Sequence, residues 1–410
     1  MTFDLEFVRS RFPAFSETSL DGFAHFENAG GSYACGHVIE RLERYYRETK
    51  VQPYHAFDPS RRAGQAMDAA KTRLAAWLGV EANAVHFGPS TSMNAYVVAR
   101  ALAEHLAPGD EVIVTNQDHE ANIGAWRRLE KAGITVREWR VDAASAELRI
   151  EDLESLLNER SKAVAFTHCS NIVASINPVR EICDLVHAAG ALAIVDGVSF
   201  APHGLPDIPV LGADIYFFSL YKVYGPHLGV MVMGRELNES LPYQGHFFNA
   251  KKPAYRFTPA GPDHAQIAAV NGVVDYLEEV YEQHFAAPAG PLEQAGAVQE
   301  LFRARETELL QPLLDYLDAQ PRVRLIGRTA AAARAPTVAF SVDGQSSQEI
   351  AKALARQGIG VGAGDFYAYR LVKALGYDMA DGVVRASFVH YTSKEEVERL
   401  VTALDALIAP

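Results

Sequence analysis

Residues 214–229 read DIYFFSLYKVYGPHLG, an apolar run that stops at one lysine and a tight turn. The neighbours of Lys222 are polar or turn-forming: Ser219, Tyr221, Tyr224, Gly225 and Pro226. A partly desolvated lysine at the end of a strand has a lowered pKa and can attack an aldehyde. A surface lysine whose aliphatic stem packs along a loop would give the same pattern. The stretch alone leaves both interpretations open.

Further apolar runs of strand length precede and follow this one, and they lie at 84–87, 111–115, 134–139, 162–168, 191–196, 214–219 and 228–234. Helix-length stretches separate several of them, such as 92–106 and 178–190. Continuous apolar strands that alternate with helices indicate a mostly parallel sheet covered on both faces. We therefore predict an α/β fold.

The pattern changes after residue 264. A long helical region, 264–319, leads to shorter strands and further helices at 336–342, 349–358, 383–389 and 394–407. This succession predicts a smaller α+β domain, against which the first twenty-odd residues are expected to pack. The predicted boundaries are 26–275 for the large domain, and 1–25 with 276–410 for the small one.

Composition narrows the classes of function. The net charge of −13 disfavours nucleic acid as a partner, because phosphate backbones are bound by basic surfaces. The three cysteines form no CxxC pair and no His/Cys cluster at metal-ligand spacing, so no metal site is predicted. No apolar run approaches the roughly 18 residues needed to cross a bilayer, and the start has no signal-like apolar core. We expect a cytoplasmic protein with no membrane partner.

Polar residues gather where the predicted strands end, which is where open α/β sheets bind their ligands. Asp196 ends one apolar run, although an aspartate there could simply cap a helix. Ser90, Thr91 and Ser92 open a helix whose free N–H groups favour a phosphate, while capping needs only one of them. His119 could stack on a flat ring, and Asn171 could bond a ring hydroxyl. A lone histidine or a loop asparagine is more often structural, but the joint placement is informative.

Five segments in this order resemble the class V aminotransferase family of pyridoxal 5′-phosphate (PLP) enzymes, especially the cysteine desulfurases. The segments are DHEANIGAW (118–126), HCSNIVASINPVREI (168–182), IVDGVS (194–199), FSLYKVYGPHLG (218–229) and VVRASFVHYTSKEEVERLV (383–401). The resemblance implies fold-type I architecture, PLP as cofactor, an amino-acid substrate and a homodimer with active sites near the subunit interface.

The resemblance also implies roles for individual residues. Lys222 matches the lysine that holds PLP as a Schiff base, Asp196 the partner of the ring nitrogen, and His119 the stacking histidine. Asn171 matches the asparagine near the ring hydroxyl, and Arg385 the arginine that binds the substrate carboxylate. The remaining matches concern the phosphate and the motif serine, and they are Thr91, Ser92 and Ser219.

Three departures from the family pattern bear on the reaction. Tyr221 stands where a histidine is usual, and its hydroxyl could still reach a phosphate oxygen. Ser199 stands where a glutamine contacts the ring. The loop 361–371 has Tyr367 or a neighbour where desulfurases carry their nucleophilic cysteine.

No cysteine of this chain matches the desulfurase nucleophile. Cys183 is expected in a helix core, and Cys169 is expected to point away from Asn171 if strand alternation continues. Cys35 is left as the one conceivable substitute. The predicted function is therefore β-elimination, or a related C–S or C–X cleavage of an α-amino acid, without a cysteine persulfide. Transamination and epimerisation remain alternatives, as does an inactive relative used as a binding protein.

Overall fold

The computed structural model describes residues 2–408. Its strands are β1 (Ala24–His25), β2 (Val85–Gly88), β3 (Glu111–Thr115), β4 (Thr135–Trp139), β5 (Ser161–Thr167), β6 (Leu192–Asp196), β7 (Ile215–Ser219), β8 (Gly229–Met233), β9 (Val323–Leu325), β10 (Thr337–Val342), β11 (Ile359–Gly360), β12 (Gly362–Gly364) and β13 (Val383–Ser387). Its α-helices are α1 (Leu5–Ser10), α2 (Gly36–Glu48), α3 (Asp58–Trp77), α4 (Thr91–His105), α5 (Gly124–Arg127), α6 (Ile150–Leu156), α7 (Val179–Ala188), α8 (Ile208–Leu211), α9 (Arg235–Ser240), α10 (His264–His284), α11 (Pro291–Asp318), α12 (Ser347–Ala355), α13 (Tyr369–Ala374) and α14 (Lys394–Ile408). No helix within residues 2–408 is long and apolar enough to span a membrane.

The central sheet has seven strands in the order β2-β8-β7-β6-β5-β3-β4. All neighbours are parallel except β8, which runs antiparallel to both β2 and β7. Strands β3 and β5 to β8 are buried almost throughout, because side chains from both faces enter apolar cores. The prediction of an α/β fold with a mostly parallel sheet is confirmed, and each of the seven predicted runs overlaps one strand of this sheet.

Two apolar clusters cover the two faces of this sheet. One contains Trp77, Phe166, Tyr216 and Phe218 together with the buried faces of α3, α7 and α10. The other contains Trp126 and Phe217 with the buried face of α4. Because residues 216–218 alternate between the two clusters, β7 is fixed between them and its end at Ser219 is held in place.

A second sheet follows, in the order β12-β13-β10-β9, with all neighbours antiparallel. Its core includes Leu313 and Leu317 of α11 and Leu400 and Leu404 of α14. The predicted helical region 264–319 is two helices, α10 and α11, that are separated by a short connection. The predicted domain boundaries stay a prediction, and residue 1 and residues 409–410 of the predicted small domain lie outside the described residues.

The N-terminal segment contacts both parts of the chain. Strand β1 pairs in parallel with β11, and Phe26 belongs to the core of the second sheet. Val8 and Phe12 instead lie in the core beneath the central sheet. Phe12 also packs against Tyr391, and Arg9 pairs with Glu396. The α1 end therefore contacts the C-terminal part of the chain, as expected, as well as the core beneath the central sheet.

Candidate active site

The polar residues at the strand ends converge on one cavity of about 190 Å³. Its lining consists of Ser90, Thr91, Ser92, His119, Ala121, Thr167, Cys169, Asn171, Asp196, Val198, Ser199, Ser219, Tyr221, Lys222 and His227. All nine residues predicted to contact the cofactor are in this set. They are brought together because β3, β5, β6 and β7 are parallel neighbours, so their carboxyl ends meet at one edge of the sheet.

Lys222 lies in a single 3-10 turn, Leu220–Lys222, directly after β7. It is only 5% exposed, and Ser32 Oγ donates a 2.8 Å hydrogen bond to its carbonyl oxygen. Burial and the charge of Arg385 lower the pKa of the Lys222 amine to about 8, against the opposing influence of Asp196 and Glu27. A larger fraction of this amine is therefore neutral near pH 7 than of an ordinary lysine, as nucleophilic attack on an aldehyde requires.

Asp196 is the last residue of β6 and is 5% exposed. Its Oδ1 accepts a 2.8 Å hydrogen bond from the Val198 N–H, so Oδ2 is the oxygen available to a partner in the cavity. Burial raises the pKa of the Asp196 carboxyl to about 6, although the Val198 bond and the charge of Lys222 act in the opposite direction. The carboxyl is thus mostly ionised at neutral pH and readily accepts a protonated ring nitrogen.

His119 lies after β3 at the entrance to a short 3-10 turn. Its Nδ1 accepts a 3.0 Å hydrogen bond from the Ala121 N–H, which places the ring proton on Nε2. Burial, together with the charges of Lys222 and Arg385, lowers the pKa of His119 to about 4. The imidazole is neutral at physiological pH, and a neutral flat ring is suited to stacking on another ring.

The first turn of α4 provides the anion-binding side of the cavity. Ser90 Oγ accepts a 3.2 Å hydrogen bond from the Met93 N–H and caps the helix. Thr91 Oγ1 lies 3.0 Å from the Phe218 carbonyl oxygen, to which it donates, and 2.8 Å from Ser219 Oγ. These two hydroxyls therefore tie the helix start to the end of β7. The free N–H groups of the first turn, with Ser92, remain for a phosphate.

His227 was missed by sequence reasoning. It lines the cavity beside the α4 terminus, and its ring stacks on Tyr221 with centroids 4.9 Å apart and planes 7° from parallel. The family usually has histidine at position 221, so the chain keeps an imidazole here but places it six residues later. The only sequence signal was a histidine directly after the Gly-Pro turn.

Arg385 lies on β13 and is 3% exposed. Its Nη1 donates a 3.2 Å hydrogen bond to the Asn171 carbonyl oxygen, and its Nη2 is paired with Glu27. The guanidinium thus contacts Asn171 at the cavity edge, although Arg385 belongs to the second sheet and is not itself among the residues that line the cavity. Glu27 was not expected in the site, because 358 residues separate it from Arg385.

Residues 361–371 lie beside the cavity and contact two of its lining residues, Asn171 and His119. The Phe366 carbonyl accepts a 2.9 Å hydrogen bond from Asn171 Nδ2, and the Tyr367 carbonyl accepts a 2.7 Å bond from the Glu120 N–H. The Tyr367 ring lies 5.4 Å from the His119 ring. Phe366 and Tyr367 both adopt left-handed backbone conformations, with φ of 51° and 60°. The loop is held against the site and presents aromatic side chains.

Cys169 lies just after the end of β5 at Thr167, among the residues around the cavity. Its side chain is 1% exposed and belongs to a small apolar cluster with Ala174 and Phe200, and its Sγ donates to the Ala174 carbonyl at 3.2 Å. The strand alternation does not extend to residue 169, so its orientation relative to Asn171 stays a prediction. Burial raises the pKa of this thiol to about 12.

The other two thiols are also buried. Cys35 Sγ donates to the Gly272 carbonyl at 3.5 Å, and burial raises the pKa of its thiol to about 12. Cys183 lies in the core on α7, as predicted, and burial likewise raises the pKa of its thiol to about 12. No thiol of the chain is both exposed and ionised at neutral pH. Among residues 2–408, no cluster of three or more metal-binding side chains occurs.

The cavity fits PLP on chemical grounds. The cofactor needs an amine for its aldehyde, a carboxylate for its ring nitrogen, a flat partner for its ring and N–H donors for its phosphate. Lys222, Asp196, His119 and the start of α4 offer these groups around one space. Asn171 Oδ1 is buried with no hydrogen-bond partner in the described structure, so it is an acceptor available for the ring hydroxyl.

Comparison with known proteins gives an independent identification. Residues 24–400 match the family described as aminotransferase class-V. Aminotransferase-like protein FGM3 of Gibberella zeae is 36% identical over 421 aligned residues, which cover 99% of both chains. A probable cysteine desulfurase of Mycolicibacterium paratuberculosis is 32% identical over 98% of this chain, which spans 58% of that longer protein.

The fold comparison agrees. The apo structure of a cysteine desulfurase from Thermococcus onnurineus NA1 superposes with a TM-score of 0.85, covering 100% of this chain and 98% of that one at 23% identity. This likeness supports the fold-type I architecture. The family model matches most of the sequence, and a relative of the same length is 36% identical. Together these two matches identify the family. The chain belongs to the class V aminotransferases and is a PLP-dependent, cysteine desulfurase-like enzyme.

Proposed function

We propose that this enzyme cleaves an α-amino acid by β-elimination, or by a related C–S or C–X cleavage, without forming a cysteine persulfide. The observation that carries the proposal is the state of the thiols: all three are buried, and burial raises the pKa of each to about 12. A thiol that is protonated and inaccessible cannot attack a substrate sulfur. The loop at 361–371 offers aromatic residues instead.

The roles of the residues follow from their chemistry. PLP, when bound, supplies an electron sink for the carbanion formed next to the substrate amine. Lys222 Nζ would hold the cofactor and, once released, remove the proton from the substrate α-carbon; its lowered pKa suits this base. Asp196 would keep the ring nitrogen protonated. His119 would stack on the ring, and the first turn of α4 would anchor the phosphate.

The proposal predicts that no sulfur adduct forms on the protein during turnover. Intact-protein mass spectrometry after incubation with cysteine is expected to show the unmodified mass, because no ionised thiol reaches the substrate. A variant with all three cysteines replaced by serine should retain turnover within a few-fold. A sulfur adduct that turnover requires, and that the triple variant lacks, would contradict the proposal and restore desulfurase chemistry.

A substrate panel separates elimination from transamination. Each amino acid is mixed with the holoenzyme, and the release of ammonia and keto acid is measured with and without an added keto acid as amino acceptor. Elimination releases ammonia in both cases. Turnover that depends on the acceptor, or that only changes the configuration of the substrate, would favour aminotransferase or epimerase activity instead.

The substrate carboxylate is proposed to bind Arg385. A planar guanidinium matches two carboxylate oxygens, and the buried setting strengthens the pair. Arg385→Ala removes both the charge and the fork, and is expected to lower kcat/KM for α-amino acids by the equivalent of about 2–5 kcal/mol. Simple amines that lack a carboxylate serve as the internal control, and their reaction should change little. An equal loss for both would show that Arg385 is structural.

A homodimer and a cytoplasmic location complete the proposal. Phe247 and Phe248 are 88% and 68% exposed, and Met93 is half-exposed near the cavity formed by 257–263. Large exposed apolar side chains of this kind commonly mark an interface between subunits. Three unpaired cysteines agree with a reducing compartment. Sedimentation equilibrium of the purified protein would test the dimer directly.

A further inference from the structure

Glu27 occupies the position at Arg385 that a substrate carboxylate would need. The two side chains form an ion pair in which the arginine side chain is 4% exposed and the glutamate 31% exposed. The pair uses Nη2 of the guanidinium, while Nη1 is committed to the Asn171 carbonyl. Nε is buried and has no partner in the described structure. One nitrogen of the Arg385 guanidinium, Nε, therefore has no partner, and it lies next to Nη2, which is paired with Glu27.

Two glycines leave the space that the Glu27 carboxylate occupies. A Cβ atom on Gly30 would overlap the Glu27 carboxylate, and a Cβ atom on Gly362 would lie 3.1 Å from Glu27 Oε1. Both positions are glycine, so the carboxylate has room that any other residue would remove. The backbone around Glu27 is fixed to β13, because the Ser387 N–H donates to the Phe26 carbonyl at 2.7 Å. Glu27 is thus directed at Arg385 by neighbours in sequence and space.

Phe366 covers the same guanidinium from another side. The Arg385 guanidinium carbon lies 3.8 Å from the centroid of the Phe366 ring. The Gly362 position gives room to this ring as well, since a Cβ atom there would lie 2.5 Å from it. Asn171 Nδ2 fixes the Phe366 carbonyl. Arg385 is therefore shielded from water by Phe366 and neutralised by Glu27 before any substrate arrives.

Charge decides what happens when a substrate carboxylate enters. A second carboxylate beside one buried guanidinium would leave an unpaired negative charge in a poorly solvated place, which is costly. Exchanging Glu27 for the substrate carboxylate costs less free energy than adding a second carboxylate, because the partly exposed Glu27 side chain can turn towards water. The incoming carboxylate would then take Nη2 together with the unused Nε, and so form the two-point contact that Glu27 does not make.

We propose that Glu27 is a specificity-determining residue: an internal carboxylate that holds the Arg385 site in the resting enzyme and is displaced by the substrate carboxylate. This inference rests on the proposed function, in which Arg385 binds the α-carboxylate. Its consequence is selectivity. A ligand binds well only when it brings both a carboxylate to displace Glu27 and an amine to react at Lys222.

Calorimetric titration of the holoenzyme with propionate tests the displacement without any reaction. When an internal competitor occupies a binding site in about nine-tenths of the molecules, the apparent affinity of a ligand for that site is about tenfold lower than for the free site. Removing the competitor therefore raises the apparent affinity about tenfold. Glu27→Gln is expected to bind propionate about tenfold more tightly than the wild type. Propionamide, which has the same shape without the charge, should bind both proteins equally weakly.

Two further variants separate direct pairing from other effects. Glu27→Asp keeps the charge on a side chain one methylene shorter, and is expected to behave like Glu27→Gln because it no longer reaches Arg385. Glu279→Gln is the matched control: this glutamate is 38% exposed and pairs with Arg11 and His37 away from the cavity. It should leave propionate binding unchanged.

Equal propionate affinity in the wild type and Glu27→Gln would overturn the inference, and so would wild-type affinity in Glu27→Asp. Should Glu27→Gln fail to fold or to retain PLP, the comparison with Glu27→Asp decides alone. Failure of the proposed function is a different result. In that case the substrate panel shows acceptor-dependent turnover, a change of configuration only, turnover that needs a cysteine adduct, or no turnover, while the propionate titrations still report whether Glu27 and a carboxylate compete for Arg385.

Discussion

Lys222→Ala is expected to abolish the covalent retention of PLP and all measurable turnover. No other amine of residues 2–408 lines the cavity, and the lowered pKa of Lys222 makes it the group most able to attack the cofactor aldehyde. Two measurements check this. The yellow absorbance of the purified protein should be lost, and borohydride reduction should leave no cofactor attached to the chain.

The matched control is Lys71→Ala. Lys71 is a second partly buried lysine whose pKa is lowered, chiefly by burial, but it does not line the cavity. Its replacement should leave the absorbance and turnover in place. The rate at which wild-type apoenzyme recaptures PLP should also rise with pH and level off above about 8, because only the neutral amine of Lys222 attacks. Persistence of a reducible adduct in Lys222→Ala would mean that another lysine carries the cofactor.

Asp196→Asn should leave PLP bound but lower kcat by at least about 100-fold, the lower end of what a positioned proton usually contributes. The amide has nearly the same shape as the carboxylate but cannot hold the extra proton on the ring nitrogen, so the ring withdraws electrons less effectively. Steady-state kinetics and the cofactor content of the same preparation would be compared. The expected signature is a normal cofactor content with a lost kcat.

Asp214→Asn is a suitable control for this variant. Asp214 lies just before β7, at the opposite end of the sheet, and its Oδ2 accepts a 2.7 Å hydrogen bond from the Ala193 N–H. Any loss that comes from changing a carboxylate in the sheet should appear there too, as lower stability but not as lower kcat per bound cofactor. Unchanged turnover in Asp196→Asn would remove this residue from the mechanism.

The central sheet could be predicted because each of its strands carries its own signal. The run ALAIVD is apolar up to a single carboxylate, and the observed strand ends at that residue, Asp196. Features that depend on contacts between distant parts of the chain were harder to predict. Strands β1, β11 and β12 are two or three residues long, and their pairing is set by partners far away in the chain. The break between α10 and α11 at residues 285–290 was also not distinguished, since the apolar pattern continues on both sides.

The candidate site likewise combines residues that could be located from the sequence with residues that could not. Its cofactor side follows strand ends, and those positions can be located from the sequence together with the rule that parallel strands end at one edge. The orientation of Cys169 could not be taken from strand alternation, because β5 ends at Thr167. Glu27 and Phe366 carry no local signal of function, and His227 has only its place after the Gly-Pro turn. They enter the site through a turn, a loop and a distant strand, which only tertiary packing brings together.

The pairing of Glu27 with Arg385 has a consequence for how the enzyme is made. The groups proposed to hold the cofactor lie between residues 90 and 227, so the cavity that they line can form while the ribosome is still synthesising the rest of the chain. The proposed carboxylate site joins residue 27 to residue 385, across a separation of 358 residues. Since domains fold as units during synthesis, the N-terminal strand must wait until the last strand has emerged. A nascent chain is thus expected to become able to bind PLP before it can recognise a substrate.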